Sequence, residues 1–331
     1  MMEKNIQYSV VVPVYNEELV IHESYQRLKT VMDSTGEAYE LLFVNDGSMD
    51  RTAELIKGYC QTDPHVRLID FSRNFGHQIA ITAGMDYAKG EAVVVIDADL
   101  QDPPELILDM IEKWKEGYEV VYAVRTQRKG ETAFKKYTAS LFYRVLRQIT
   151  EVDIPIDTGD FRLMDRKVCH EMKKIREKNP FVRGLVSWVG FKQIAVEYVR
   201  DERLAGETKY PLKKMLKLSM DGITSFSYKP LKLASVAGIA LSAIGFISMF
   251  LVLYLKLFTN STITGWSSLI VIQLFFSGII LFMLGMIGEY IGRIYDEAKD
   301  RPLYIVRESY GLQAKPHPVQ SPVHFKQYKQ H

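Results

Sequence analysis

The chain has 331 residues, of which 47% are hydrophobic and 25% charged, a composition compatible with a folded core of one large or two ordinary domains. Its net charge of +2 is too small to argue for a nucleic-acid partner, and the basic residues form no single stripe. Its two cysteines, Cys60 and Cys169, have no second pair of ligands, which fits reduced thiols and argues against a disulfide framework or a zinc site.

The first part of the chain alternates short β-branched runs with segments of helical spacing. The runs are YSVVVPV, YELLFVND, VRLIDFS, EAVVVIDAD and YEVVYAV. This alternation predicts an α/β fold with a doubly wound, mainly parallel sheet covered on both faces. Ligands of such sheets bind beyond the carboxyl ends of the strands. Three of those ends carry polar motifs, which are PVYNEE, NDGSMD and DADLQDPPE.

The stretch DADLQDPPE, residues 97–105, predicts a metal site. Asp97 and Asp99 alternate across the end of an extended segment, and Gln101 returns to the same side. Together with a diphosphate, two carboxylates and an amide oxygen make an all-oxygen site suited to Mg²⁺ or Mn²⁺. Asp102, which two prolines follow, is also an N-cap signal for the next helix, and both interpretations can hold together.

Two later segments mix basic and apolar residues at helical spacing. Residues 132–150 place their apolar side chains on one face, so this helix either packs on the α/β core or lies at a membrane surface. Residues 211–230 stand directly before a long apolar stretch, and we predict that they form an amphipathic helix in the membrane interface.

Two stretches without charged residues, 233–255 and 257–288, are each long enough to cross a hydrocarbon core of about 30 Å. They predict two transmembrane helices, with a pair of buried core helices as the alternative. Six lysines lie between residues 209 and 232, and Arg293, Lys299 and Arg301 follow the second stretch. The positive-inside rule therefore places both termini in the cytoplasm and residues 258–265 on the far side. Glycines of the second stretch make homo-oligomer formation plausible.

Six motifs occur in a characteristic order: VVPVYNEE, LLFVNDGSMDRT, RNFGHQIAITAGMDYAKGE, VIDADLQDPPE, DTGDFRLMDRKV and ERLAGETKY. From about Tyr8 to about Val306 the chain resembles the family 2 glycosyltransferases of the GT-A fold. Within that family it is similar to the membrane-bound polyprenyl-phosphate glycosyltransferases, which include dolichyl-phosphate mannose synthase and bactoprenol glucosyltransferases. The two apolar stretches match the bactoprenol branch.

The resemblance implies a division of the chain into four parts. Residues 1–210 would form a cytoplasmic GT-A glycosyltransferase domain, and residues 211–230 the juxtamembrane amphipathic helix. Residues 231–292 would form two transmembrane helices with a short external loop, and residues 293–331 a cytoplasmic carboxyl-terminal tail. The protein would then be an integral protein of the cytoplasmic membrane.

The resemblance also implies roles for the residues that match the family motifs. The nucleotide of the donor would be held by Pro13, Tyr15, Glu17, Asp46 and Asp97. The metal and the donor diphosphate would be held by Asp97, Asp99 and Gln101. A divalent ion there neutralises the charge that develops as the glycosidic bond breaks, which makes Asp99 a catalytic candidate. For Asp46 the alternative is a plain turn residue in Asn-Asp-Gly-Ser.

Asp157 and Asp160, in the stretch DTGDFRLMDR, are further catalytic candidates. Many sugar transfers to an alcohol need a carboxylate that removes the hydroxyl proton. A polyprenyl phosphate needs none, because its second pKa of about 6 leaves an anionic oxygen near neutral pH. The two aspartates could therefore act as a base, orient the acceptor, or pair with Arg162.

Cationic side chains are predicted to bind the donor and acceptor phosphates. The candidates are Arg125, Arg128, Lys129, Arg162, Arg203 and Lys209. Arg203 and Lys209 lie in ERLAGETKY, which resembles the acceptor-phosphate loop of the family. For Arg128 and Lys129 the alternative interpretation is a run of charged residues that is simply exposed to solvent. His77 is expected to be a helix cap or a packing residue.

These features together predict an inverting, metal-dependent transfer of a sugar to polyprenyl (undecaprenyl) phosphate, with UDP-glucose or UDP-GlcNAc as the favoured nucleotide-sugar donor. One alternative is a processive polysaccharide synthase of the same superfamily, against which stand the two predicted spans and the lack of a Gln-x-x-Arg-Trp pattern. Another is a noncatalytic membrane protein that binds or translocates lipid-linked sugars.

Overall fold

The computed structural model describes residues 6–127, 158–199, 229–258 and 265–312. Its strands are β1 (Tyr8–Val14), β2 (Tyr39–Asn45), β3 (Val66–Phe71), β4 (Ala92–Val95), β5 (Val120–Gln127), β6 (Thr158–Asp165), β7 (Gln193–Val199) and β8 (Val306–Tyr310). Its helices are α1 (Ile21–Ser34), α2 (Thr52–Thr62), α3 (His77–Tyr87), α4 (Leu106–Lys115), α5 (Arg166–Met172), α6 (Val182–Trp188), α7 (Lys229–Phe258) and α8 (Trp266–Ala298).

The strands form one sheet in the order β7-β5-β6-β4-β1-β2-β3-β8. The four strands β3, β2, β1 and β4 are parallel to one another, whereas β6 and β8 run antiparallel to their neighbours. The predicted parallel α/β sheet is confirmed for these central strands, and the sheet as a whole is mixed. The chain moves outward from β1 to β3 and then returns to β4 on the other side of β1. This reversal creates a crevice at the carboxyl ends of β1 and β4.

Helices cover both faces of the sheet, which explains why β1 is apolar along its whole length. Val10 and Val12 point into the cluster formed with α1, α2 and α4, whereas Val11 points into the cluster formed with α3, α5 and α6. Successive side chains of a strand face opposite sides of the sheet, so a strand buried on both faces needs an apolar residue at every position. The core thereby fixes the carboxyl ends of β1, β2 and β4 at one edge.

Strands β6, β7 and β8 were not predicted from the sequence. The strand β8 follows the second long helix, in the segment that the sequence suggested as a separate tail, and it pairs with β3. The ring of Tyr304 stacks on that of Phe71 with centroids 5.2 Å apart, and Lys57 forms a 2.7 Å ion pair with Glu308. Residues 299–312 are therefore part of the α/β domain.

Helices α7 and α8 are long, with 30 and 33 residues. Their surfaces carry exposed apolar side chains, such as Ile247 and Phe282, each with 70% of its surface exposed. Within the described ranges, one helical segment, Phe275–Ala298, is long and apolar enough to cross a membrane. The first predicted span, residues 233–255, is part of helix α7. Among the described residues, α7 contains no segment that is both long and apolar enough to cross a membrane. The predicted helix at 132–150 lies outside those ranges, as does the predicted helix at 211–230 apart from its last two residues, which begin α7.

Candidate active site

The loops after β1 and β2 are joined by hydrogen bonds at one edge of the sheet. The backbone N–H of Asn16 donates to Ser48 Oγ at 2.9 Å, and that of Glu17 donates to Thr52 Oγ1 at 2.8 Å. Asn16 has a φ of 54°, a left-handed conformation that asparagine tolerates better than most residues. This arrangement places Tyr15, with 36% of its surface exposed, at the rim of the crevice.

Two predicted nucleotide contacts are buried below this rim. Pro13 lies within β1, in register with Val44 of β2. The Asp46 carboxylate accepts hydrogen bonds from the backbone N–H groups of Phe75, at 2.7 Å, and Gly76, at 3.0 Å. Burial raises the pKa of Asp46, and these two hydrogen bonds oppose the change. Asp46 therefore holds the loop that leads into α3, and its contact with a nucleotide stays a prediction.

The segment after β4 differs from the extended conformation that we expected. Strand β4 ends at Val95, and the chain turns at residues 98–102. Leu100 is buried and has a φ of 58°, which is strained for a leucine. The prediction that Asp97, Asp99 and Gln101 alternate along an extended segment is therefore wrong, although all three follow the carboxyl end of β4. The turn brings the backbone N–H of Gln101 to 3.2 Å from Asp99 Oδ1.

Asp102 is not the N-cap that the sequence suggested, because α4 begins at Leu106 and its N-cap residue is Glu105. The Asp102 carboxylate is buried and accepts a short hydrogen bond from the hydroxyl of Tyr198 on β7. Arg125 of β5 donates from Nε to the same hydroxyl at 3.1 Å. The predicted phosphate ligand Arg125 is thus held between β5 and β7, beside the turn.

Asp160 is the centre of a charged cluster at the amino end of β6. Arg183 of α6 donates to both of its carboxylate oxygens, from Nε at 2.8 Å and from Nη2 at 3.0 Å. His77 Nε2 and Gln78 Nε2, from the start of α3, each lie 3.2 Å from Asp160 Oδ2. His77 Nε2 also lies 3.4 Å from Asp97 Oδ1, so the cluster joins β6 to the turn after β4.

The charges of this cluster shift the pKa values of its members. Burial would raise the pKa of Asp160, but Arg183 and His77 outweigh burial and hold that pKa well below its usual range. Burial would likewise lower the pKa of His77, yet Asp97 and Asp160 raise it to about 9. Burial raises the pKa of Asp97 to about 6, with the neighbouring carboxylates adding to the effect and His77 opposing it. His77 is therefore a cation that faces both Asp97 and Asp160 in this cluster.

Arg162 does not pair with the Asp160 carboxylate. It is buried, and its guanidinium donates to backbone carbonyls, from Nη2 to Gly159 O at 3.0 Å and from Nε to Asp160 O at 3.3 Å. The suggested ion pair of Arg162 with Asp160 is wrong, because Arg183 binds both oxygens of that carboxylate, whereas a pair with Asp157 lies outside the described ranges. Burial lowers the pKa of Arg162 to about 10. Five predicted site residues lie outside the described ranges: Asp157, Arg128, Lys129, Arg203 and Lys209.

Arg183 and Tyr198 were not predicted as site residues from the sequence, and His77 was expected to be a cap or packing residue. Arg183 stands in the stretch PFVRGL, where no local pattern separates it from a surface cation. His77 directly follows the RNFG loop that Asp46 holds, so membership of that motif was the available signal. Tyr198 is recognised as a neighbour of Arg125 only through the pairing of β7 with β5.

The donor atoms after β4 fit a divalent ion. Asp97 Oδ1 is buried and makes no hydrogen bond to the described residues. The cationic His77 Nε2 lies 3.4 Å from this oxygen, and a buried carboxylate oxygen without a hydrogen bond favours a further cation or donor. No group of three or more His, Cys, Asp or Glu side chains in the described ranges could hold a metal. Mg²⁺ is commonly bound by one or two carboxylates together with substrate phosphates, so the set Asp97, Asp99 and Gln101 has the chemistry for such an ion, and its metal role stays a prediction.

Comparison with known proteins identifies several relatives. The family model described as "Glycosyl transferase family 2" matches residues 9–173. An uncharacterized glycosyltransferase of Bacillus subtilis is 80% identical, over 95% of this chain and 97% of its own. A prophage bactoprenol glucosyl transferase homolog of Escherichia coli is 42% identical, over 91% of this chain and 99% of its own. The bactoprenol glucosyl transferase of Shigella phage SfII is 41% identical, over 92% of this chain and 99% of its own.

Proposed function

We propose a specific reaction for this chain, which belongs to glycosyl transferase family 2 and is a glycosyltransferase: it transfers one sugar from a UDP-sugar to a polyprenyl phosphate. The similarity to bactoprenol glucosyl transferases over nearly the full length of both chains carries the proposal, since it includes the apolar helices as well as the α/β domain. The names of these relatives support a bactoprenol-type acceptor, so we propose undecaprenyl phosphate as the acceptor and UDP-glucose or UDP-GlcNAc as the donor.

The donor would lie in the crevice at the carboxyl ends of β1 and β4. Tyr15 and Glu17 would contact the nucleoside from the rim. Asp97, Asp99 and Gln101 would hold Mg²⁺ or Mn²⁺, which neutralises the charge of the departing diphosphate when it is bound. The turn at Leu100 supports this role, because it keeps Asp99 and Gln101 directly beyond the carboxyl end of β4.

Asp160 would organise the site without accepting a proton. Both of its oxygens already accept hydrogen bonds, from Arg183, Gln78 and His77 in the described part of the chain. The acceptor supplies its own anionic phosphate oxygen. That oxygen attacks the anomeric carbon, the bond from this carbon to the diphosphate oxygen breaks, and the anomeric configuration inverts. The bonding electrons leave with the nucleoside diphosphate, so no proton transfer is required.

The acceptor would reach the site from the bilayer. In this proposal α7 and α8 both cross the membrane, with residues 258–265 on the far side and the α/β domain in the cytoplasm. The positive charges flanking the two apolar stretches support this orientation. The segment Phe275–Ala298 supports the second span by its length and composition. Arg203 and Lys209, just before the first span, would bind the lipid phosphate.

The experiment that tests the reaction uses the purified full chain, undecaprenyl phosphate, Mg²⁺ or Mn²⁺, and a panel of radiolabelled UDP- and GDP-sugars. One donor should give a lipid-extractable product that carries a single sugar. Chelation and Asp99→Asn should abolish that product, whereas Asp109→Asn, which changes an exposed residue of α4, should leave it unchanged. A polymeric product would favour a processive synthase. Donor binding without any product would favour a noncatalytic protein that binds lipid-linked sugars.

A further inference from the structure

The end of α8 contacts the connection between α5 and α6 through Lys178. The backbone N–H of Lys178 donates to Glu297 Oε1 at 2.7 Å. Its ammonium donates to the carbonyl oxygen of Arg301 at 2.6 Å and forms a 3.1 Å ion pair with Asp300. The Lys178 side chain is only 13% exposed, although its charge would favour solvent. Asp300 has a φ of 43°, so the chain leaves α8 in a left-handed turn directly at this contact.

The same connection continues into the charged cluster. Val182 follows it as the first residue of α6, and its backbone N–H donates to Gln78 Oε1 at 3.1 Å. The next residue, Arg183, binds both oxygens of Asp160. Val182 and Leu185 are buried in the core, so α6 is held on its inner face. A displacement of the connection at Lys178 would therefore be transmitted to the guanidinium of Arg183.

A second contact ties the segment after α8 to the same region. Asp86 at the end of α3 accepts hydrogen bonds from Arg176 Nη1, at 3.0 Å, and from the hydroxyl of Tyr304, at 2.9 Å. Arg176 belongs to the connection between α5 and α6, and Tyr304 to the segment between α8 and β8. These contacts and those of Lys178 hold the exit of α8 against the elements that carry His77, Gln78 and Arg183.

We propose that Lys178 is a positioning residue, which uses the end of α8 as a fixed support for Arg183 and thereby for Asp160. The inference rests on the proposed function, in which α8 emerges from the bilayer next to the site. A membrane helix anchored in this way helps to set the geometry of the charged cluster, so attachment to the membrane and arrangement of the site are coupled through Lys178. Lys178 itself touches neither donor nor acceptor.

The chain offers a matched control in Lys57. This residue forms a 2.7 Å ion pair with Glu308 of β8, so it ties the same carboxyl-terminal segment to the domain. It stands on α2, which packs on the opposite face of the sheet from α6. Lys178→Met and Lys57→Met remove the same charge and keep most of the apolar stem. Both should lower the melting temperature slightly, and Lys178→Met alone should alter α6.

The first measurement is hydrogen–deuterium exchange of the full chain in lipid nanodiscs, which needs no catalytic activity. Amides of residues 182–188 should exchange roughly tenfold faster in Lys178→Met than in the unsubstituted chain, because a local contact that opposes opening is lost. Lys57→Met should leave them unchanged. Equal exchange of these amides in both variants would overturn the proposal, whether or not the chain transfers a sugar.

The second measurement is a double-mutant cycle on kcat with Arg183→Lys. Lys178→Met should lower kcat roughly tenfold with little change in the KM of the donor, since small misplacements of catalytic groups reduce the rate strongly. The double variant should lose little more than Arg183→Lys alone, because one residue acts through the other. In the control cycle, the effects of Lys57→Met and Arg183→Lys on kcat should multiply in the double variant. If the kcat losses of Lys178→Met and Arg183→Lys multiplied in the double variant, Lys178 would not act through Arg183, and the proposal would be overturned. Absence of transfer by the unsubstituted chain would refute the proposed function and leave the exchange result standing.

Discussion

Arg183 binds Asp160 at two points, with Nε 2.8 Å from Oδ1 and Nη2 3.0 Å from Oδ2. A paired guanidinium and carboxylate of this geometry is stronger and more directional than a single hydrogen bond. The contact joins α6 to the amino end of β6, two elements that both follow the Asp97 turn in the sequence. Asp160 is therefore a fixed part of the site, and its charge is compensated before any substrate binds.

The pair should behave as one unit in kinetics. Asp160→Asn removes the charge that holds Arg183 and His77, and we expect kcat to fall about 100-fold. Arg183→Lys keeps the positive charge but loses the two-point contact, and we expect a loss of about tenfold. The double variant should resemble Asp160→Asn within a few-fold, because the two residues share one interaction. If Asp160 were a proton acceptor, Arg183→Lys would leave the rate nearly intact while Asp160→Asn abolished it.

Metal affinity should depend on the aspartates after β4. In the presence of UDP, Asp97→Asn and Asp99→Asn should each weaken Mn²⁺ binding about 100-fold or more, since each removes one anionic ligand. Electron paramagnetic resonance of free Mn²⁺ measures this affinity without catalytic turnover. Asp109→Asn is the control for the loss of one negative charge at an exposed position. Unchanged Mn²⁺ affinity in Asp97→Asn would place the metal elsewhere.

The turn at Gly47 should be more sensitive to substitution than the turn at Gly36. Both glycines have a positive φ, 69° and 68°, so alanine at either position adds backbone strain of about 1–2 kcal/mol. A Cβ at Gly47 would also lie 2.5 Å from the backbone carbon of Arg73, whereas a Cβ at Gly36 meets no atom within 4 Å. We expect Gly47→Ala to lower the free energy of unfolding by at least about 2 kcal/mol more than Gly36→Ala.

Gly47→Ala should also weaken donor binding, because Arg73 begins the loop that Asp46 holds before His77. Urea unfolding and the KM of the donor report the two effects separately. Equal losses of stability in Gly47→Ala and Gly36→Ala would mean that the loop shifts without cost, and would remove the reason to link Gly47 to the site.

Asp63 should contribute stability that disappears in acid. Burial would raise its pKa, but the backbone N–H of His65 and the side chains of Lys29 and Tyr25 outweigh burial and lower the pKa to about 2. Asp63 in the unfolded chain has a pKa of about 4, so the unfolded state takes up the proton first as the pH falls. The contribution, about 2 kcal/mol, is therefore complete above about pH 4 and is lost between about pH 4 and pH 2.

Urea unfolding followed by tryptophan fluorescence, at several pH values from 5 to 2, measures this contribution. The difference between the unsubstituted chain and Asp63→Asn should be constant near pH 5 and should shrink toward pH 2. Asp109→Asn should show no such dependence. A difference that grows as the pH falls would contradict the sign of the shift.

Membrane topology follows from labelling of introduced cysteines. Ser261→Cys, in the connection between the two proposed spans, should react with a membrane-impermeant maleimide added outside intact cells. Met49→Cys, whose side chain is 90% exposed on the α/β domain, should react only after the membrane is opened. The unsubstituted chain measures any background from Cys60 and Cys169. Labelling of both introduced cysteines from the outside would refute the cytoplasmic location of the domain.

Much of the fold was accessible from the sequence because it depends on short-range patterns. The five apolar runs identified β1 to β5, since a strand buried on both faces must be apolar throughout. The lack of charge in residues 233–255 and 257–288 indicated two long apolar helices; α7 contains the first stretch, and α8 contains residues 266–288 of the second. The order of polar motifs placed Asp97 and Asp99 at a strand end and led to the correct family.

Contacts between residues far apart in the sequence were not accessible in this way. Strand β8 is recognised only by its pairing with β3, and its own five residues carry no distinctive pattern. The conformation of the turn after β4 depends on burial of the Leu100 side chain, which the local sequence does not specify. For the same reason Asp102 could be taken for a helix cap, although its partner Tyr198 lies on β7.

The sequence by itself therefore determined the types of element, the family and the residue types available for binding a metal and phosphates. The tertiary structure decided which of these charges meet. Asp160 could pair with the nearby Arg162 in the sequence, but β6 directs Arg162 toward backbone carbonyls, and α6 brings Arg183 to the carboxylate. The physical reason is that an ion pair depends on distance and direction in space, and the packing of α3, α6 and β6 on the sheet sets both.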